Sequence, residues 1–369
     1  MQKEYEFDEA FRRDGGRAKS EIDLFTDIRR RFSAVNTFLK HSYPNLPEIH
    51  LDFIENDSLN AAATKYKGNY FIGINLGSYF LIYDMFMKML ASKSVWPKIG
   101  NNQLETDHKK ILKAYINIYD KITFRFDNQD IAIPQDKLRL EFAILCTNHA
   151  FDFLIYHEIA HILRGHVGYL ASLIENNFYW REFDNLSQRS KLPSDVSQTL
   201  EMDADSFATN RSLNIIASNL KDTKQVNEIF RFAFKDWSTI LPIWVFSIYS
   251  LFRLFGYRQY AVEDAKKLSH PPSSIRMALI AGNIVTLFEL KYGKELIPSV
   301  VKDIIESTKA AEDAFSEITF QEANWDIYRN SYTKESTDYI FSITDNWNKV
   351  RPVLEEYALG NLPPLKIIK

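Results

Sequence analysis

The chain has 369 residues, 45 Lys and Arg against 48 Asp and Glu, and a net charge of −3, so nothing in its charge favours binding to nucleic acid. Hydrophobic residues make up 46% and aromatics 14%, which excludes a disordered or fibrous chain and supplies a large core. The one cysteine, Cys146, excludes an intramolecular disulfide framework and a Cys-rich zinc site, and fits a reducing compartment.

The first twenty residues, MQKEYEFDEAFRRDGGRAKS, are charged throughout and carry no apolar run of the signal-peptide kind. A helix is predicted over 20–40. Ser20 and Asp23 can form a capping box, Phe25, Ile28, Phe32 and Val35 recur at helical spacing, and Tyr43 to Pro47 break the pattern. Ile49, Leu51 and Phe53 alternate with polar residues, as in a half-buried strand. NAAAT, 60–64, leads through a KGNY turn at Gly68 into a second strand, YFIGIN, with Tyr70, Ile72 and Ile74 on one face. Residues 96–107 read as a loop, about 135–167 as a long helix, and 184–198 as a polar connection. Helical patterns return over 199–235 and 237–255 and beyond Pro272, and the last 60 residues read as charged surface helices. The longest apolar run, Thr239 to Phe252, includes Pro242 and falls short of the roughly 20 residues of a membrane span, so a buried core helix is expected in a soluble, cytoplasmic protein. The expected architecture is α+β, helix-dominated, with one small sheet.

The chemistry concentrates in FLIYHEIAHILRGHVGYL, which contains His157-Glu158-Ile159-Ala160-His161. Residues four apart on a helix share a face, so both imidazoles can bind one zinc ion, while Glu158, about 100° round the axis, can reach a zinc-bound water without ligating. Chance alone yields H-E-x-x-H in a chain of this length on the order of one time in a hundred. Catalytic zinc needs a third protein ligand and an open position. His166 misses the spacing of the extended three-histidine signature by one residue, and on a continuous helix it lies about 140° from His161; a structural role near the helix end is the better reading. LEMDADSFA supplies Glu201 and Asp205 one turn apart on one face, with Asp203 turned away. Glu201 is the candidate ligand and Asp205 the carboxylate that would hold His157 in its tautomer. Taken alone, the same residues would read as a solvated acidic helix face.

HEIAH followed by EMDAD resembles the gluzincin zinc peptidases, and more closely the branch typified by the CAAX-prenyl and HtpX-type endopeptidases, in which E-x-x-A-D follows H-E-x-x-H. His166, LSHPPSSIRMAL (268–279) and NAAATKYKGNYFIGIN (60–75) are similar to further segments of that branch, in the same order. Many of its members are membrane-embedded; the soluble phage-exclusion (Lit-type) peptidases resemble this chain in size and layout. The resemblance implies a zincin-like domain over 1–295, with an edge-strand region at 48–76, a zinc helix at about 135–167, a third-ligand helix at about 199–210 and a His-Pro segment at 268–280. Residues 296–369 would form a mostly helical extension packed on that core. It implies an oxyanion-stabilising role for His270, against the local reading in which Ser269 or His270 sits near a helix start opened by Pro271 and Pro272. Arg276 would orient His270, pair with a buried carboxylate, or lie on the surface. Asn60 would belong to the sheet edge to which an extended substrate adds a strand, or to an ordinary hairpin.

The expectation is therefore a Zn²⁺-dependent endopeptidase acting on a peptide or protein substrate, with a phage-defence or regulatory role. His157, His161 and Glu201 would be the ligands and Glu158 the general base. The alternatives are a non-catalytic zinc-binding regulatory protein on the same fold and a membrane-bound peptidase anchored through 239–255. Substrate and oligomeric state are not legible.

Overall fold

The computed structural model describes residues 2–19, 23–44, 46–106, 111–116, 122–124, 126, 132–173, 179–181, 192–256, 261–319, 322, 323 and 325–365. Among them the order begins with α1 (Gln2–Ala10), α2 (Asp23–Ser42), β1 (Ile49–Ile54), β2 (Ala61–Tyr66), β3 (Asn69–Asn75) and α3 (Leu76–Leu90). It continues with β4 (Ala114–Ile116), β5 (Ile122–Phe124), α4 (Lys137–Leu163), α5 (His166–Leu173), β6 (Tyr179–Arg181) and α6 (Ser194–Lys221). The remaining helices are α7 (Trp237–Phe255), α8 (Val262–Ala265), α9 (Ser273–Tyr292), α10 (Ile297–Thr319), α11 (Trp325–Asn330) and α12 (Lys334–Leu354). The architecture is α+β and helix-dominated, with a small sheet.

The chain groups into two units that interleave in sequence: 1–79 with 157–204 and 342–369, and 80–156 with 205–341. The expected division after residue 295 differs from this. The segment 296–369 is shared between both units, because α12 runs across the boundary at 341/342.

In the first unit the sheet order is β1-β3-β2-β6. Lys67 and Gly68 both have positive φ, 48° and 84°, as a two-residue type I′ hairpin requires, and they set Tyr66 opposite Asn69. β1 lies parallel to β3, Ile49 opposite Tyr70. The half-buried strand expected at 49–53 is buried on both faces; only His50 is partly exposed. The cause is α1, in a stretch whose charge hid its apolar face. Its Phe7 and Ala10, followed by Phe11, pack with Ile54, Ala62 and Phe71, while Phe32 and Tyr79 meet Phe53 from the other side. Ser20, half of the expected capping box, lies outside the described residues.

In the second unit α7 is the core helix that its apolar run predicted, buried from Leu241 to Leu254 apart from partial exposure at Pro242. It packs along α10, where Arg253 Nε donates to Glu312 Oε2 at 2.6 Å and Tyr249 Oη donates to the same oxygen at 2.9 Å. α7 and α9 are both long and apolar enough to cross a membrane by length and composition, and the apolar stretch of α7 is 78% buried within the protein. The loop expected at 96–107 is shaped by Arg139 of α4, fully buried. Its guanidinium donates to five backbone carbonyls, those of Leu90, Ser92, Val95, Trp96 and Ile99, at 2.7–3.1 Å.

Candidate metal centre

The last two turns of α4 carry His157 and His161, and Glu201 comes from the first half of α6. The Nε2 atoms of the two histidines lie 3.0 Å apart. Glu201 Oε2 is 3.4 Å from His157 Nε2, and its Oε1 is 3.9 Å from His161 Nε2. All three side chains are at most 1% exposed, and one donor atom from each falls within 4.8 Å of the others. The donor set suits a metal ion. Zinc at bond lengths of about 2.0–2.2 Å in a tetrahedron places neighbouring donors roughly 3.2–3.6 Å apart, and the three separations bracket that range. Two imidazoles and one carboxylate are also the borderline-soft donors that zinc accepts. Glu158 is fully buried, about 100° round the helix from His157 and 60° from His161, so it flanks the pair of ligand directions on the His161 side.

His166 is no ligand in this group, but it is part of the centre. The helix expected to run through residue 167 stops at Leu163. Gly165 takes φ = 82°, and the chain restarts as α5 at His166 itself. The 140° separation presumed an unbroken helix; the break swings His166 back, with its Nδ1 2.9 Å from His161 Nδ1. Asp203 Oδ2 lies 3.3 Å from His166 Nε2, and Arg164 Nε lies 3.7 Å from that oxygen. The proton positions then follow from chemistry. A His161 that offers Nε2 as a ligand carries its proton on Nδ1 and donates it to His166 Nδ1. His166 must then carry its own proton on Nε2, the atom that lies 3.3 Å from Asp203 Oδ2. Burial holds the His166 pKa below the ordinary histidine value, partly opposed by Asp203, which keeps that ring in the neutral form the relay needs.

The end of α4 is closed by a segment far along the chain. Leu359 N and Gly360 N both donate to the Leu163 carbonyl at 2.9 Å, and Arg164 Nη1 donates to the Asn361 carbonyl. A Cβ at Gly165 would stand 2.7 Å from Ala358 N, so close approach as well as positive φ requires glycine there.

The remaining expected residues are placed as follows. Asp203, read as turned away, is 2% exposed and meets His166. Asp205 takes two hydrogen bonds from Arg276, Nε to Oδ2 and Nη2 to Oδ1, both at 2.7 Å. Arg276 also stacks over Phe252 at 4.5 Å; of its three readings, the buried carboxylate pair describes its place. His270 precedes α9, partly buried, with Nδ1 3.0 Å from its neighbour Ser269 Oγ. The N-cap of α9 is Pro272, without a side-chain cap bond. Asn60 closes the start of β2: its Oδ1 accepts from Ala61 N at 2.9 Å, its backbone N–H donates to Ser78 Oγ, and Asn75 N donates to its carbonyl. β2 is not the open edge of the sheet, since β6 pairs with Ala62–Thr64.

The sequence signal for the His166–Asp203 contact was the glycine in HILRGH, a residue that ends helices in a left-handed turn. No signal in the sequence marked 358–361 as the helix cap. No protein-family model, curated protein or solved structure matches this chain, so the reading of the centre rests on its own geometry.

Proposed function

We propose that the chain is a zinc-dependent endopeptidase of the gluzincin type, with a zincin-like core, acting on a peptide or protein substrate in the cytoplasm. The observation that carries this reading is the convergence of His157, His161 and Glu201 from two helices, with Glu158 buried on the same helix beside His157. Those three residues hold the ion. Bound zinc supplies Lewis acidity, lowering the pKa of a ligated water and polarising a carbonyl. Glu158 takes the proton of the attacking water and passes it to the leaving amine. His166 and Asp203 hold His161 in the ligating tautomer, as carboxylates and carbonyls do behind metal-binding histidines generally. His270 is assigned as oxyanion donor on the resemblance alone.

A second reading is favoured by one observation: the three ligands and Glu158 are all at most 1% exposed, as in a closed, non-catalytic zinc site. Such sites usually take a fourth protein ligand, whereas the group here comprises three among the described residues.

Zinc per purified chain, and mapping of new protein termini in cells expressing wild type or Glu158→Gln, distinguish the two. One zinc per chain in both proteins, with cleavages lost in the variant by a factor of about 10²–10⁴, supports the peptidase. Zinc with no Glu158-dependent cleavage leaves the structural reading, and absence of bound metal overturns both.

A further inference from the structure

The second unit contains a cavity of about 800 Å³ between α9, α10 and α11, within the size range of small-molecule sites, roughly 300–1,000 Å³. It is separate from the residues assigned to the metal centre. α9 contributes Ala278, Ala281, Gly282 and Val285, and α10 contributes Val301, Ile304 and Ile305. Its lining is apolar except where Lys309 and Arg329 reach it beside Trp325 and Tyr332.

Three observations say what it takes. Val301, Ile305 and Tyr332 are large apolar side chains left 37%, 51% and 53% exposed, and all three line this cavity; clustered exposure of that kind marks a binding surface rather than chance. Gly282 sits inside a helix, where glycine is unfavourable relative to alanine. Outside its own helix no described atom lies within 4 Å of where its Cβ would stand. Packing within the chain gives no reason for the glycine; room for an occupant does. Third, the charged residues of the lining are both cations. Lys309 Nζ rests over the Trp325 ring at 5.5 Å, and Arg329 reaches Asp326 only at 4.0 Å, with both side chains largely exposed. An apolar cavity whose two charged lining residues, Lys309 and Arg329, are both cations is complementary to one flexible hydrocarbon chain ending in an anion.

We propose that this cavity binds a long-chain fatty acid, with its tail between α9 and α10 and its carboxylate at Lys309 and Arg329.

The test uses the full-length chain and a fluorescent fatty acid displaced by palmitate below its critical micelle concentration. The expected result is one site per chain with micromolar affinity, and palmitic acid methyl ester at least tenfold weaker. Gly282→Leu, whose Cβ meets no described atom within 4 Å outside its own helix and which improves helix propensity, should weaken palmitate at least tenfold while circular dichroism stays unchanged. Lys309→Glu with Arg329→Glu should weaken palmitate but not its ester. The proposal is overturned by absence of displacement, by equal affinity for acid and ester, or by Gly282→Leu binding as wild type does. It is also overturned if the protein partitions onto phosphatidylcholine vesicles instead, or if a dimer that Gly282→Leu dissolves is what excludes the probe. Zinc content should stay unchanged in every variant, so this result and the peptidase reading stand or fall separately.

Discussion

Two sets of buried charges in this molecule are built on opposite plans. In the second unit each buried carboxylate carries its own cation: Asp205 is gripped at both oxygens by Arg276, and Glu312 holds Arg253 and Tyr249. In the first unit His157, His161 and Glu201 bring lone pairs together, and the arginine in the neighbourhood, Arg164, faces Asp203. Burying charge is costly unless it is paired. The arginine clusters are complete with protein atoms; the donor set of the first unit is chemically matched to a cation that the sequence does not encode. The difference separates scaffold from site more sharply than burial does, since both are buried.

The comparison breaks most visibly at Glu312. Glu312→Ala leaves Arg253 buried without its carboxylate and should cost about 3–5 kcal/mol in urea unfolding, while zinc stoichiometry stays at one per chain. The converse manipulation is chelation. Stability of the wild type should rise by about 2.7 kcal/mol at free zinc a hundred times its dissociation constant and fall back with a chelator. Glu201→Gln should lose most of that response, read as the shift in unfolding midpoint. Smaller again is the relay behind His161. His166→Ala and Asp203→Asn should each weaken zinc binding about 10–100-fold by competition with a chromogenic chelator, and the double variant should be little worse than either, because both act through one hydrogen-bonded chain. The smallest effect belongs to an ordinary helix cap. Asp236 accepts from Thr239 N at 2.9 Å at the start of α7, and Asp236→Ala should cost about 1 kcal/mol with no change in metal binding. Its side-chain hydrogen bonds to Ser238 and Thr239 hold the carboxyl below the usual aspartate value. The cap therefore stabilises fully above the unfolded-state pKa and is lost as pH falls through the lower folded one; the wild-type advantage over Asp236→Ala should vanish in acid.

What the sequence disclosed was what spacing can encode. The four-residue step from His157 to His161 and the acidic pattern around Glu201 were enough to name the group that the fold brings together, and the apolar run at 239–252 was enough to name a core helix. The rest was hidden for physical reasons. His166 was projected along a helix that Gly165 ends, Asp203 was judged by its angle from Glu201 without knowledge of what lay opposite, and the spacing left the partner of Arg276 open, which the fold supplies as Asp205. The break at Gly165 is local, whereas the His166–Asp203 contact joins residues 37 apart and the Arg276–Asp205 pair residues 71 apart. α1 was missed because its Phe7 and the following Phe11 are embedded among charges, and the cap at Leu359 and Gly360 leaves no pattern, since backbone N–H groups of any residue would serve.

The pairing of β6 with Ala62–Thr64 bears on how a substrate would enter. If an extended peptide were to add a strand against β2, it would meet a competitor tethered to the same molecule. Such a tether acts at an effective concentration on the order of millimolar, so a free peptide at micromolar levels is disfavoured by about a thousandfold unless its side chains find pockets of their own. If the proposed peptidase activity holds, this arrangement would leave most cellular polypeptides uncut.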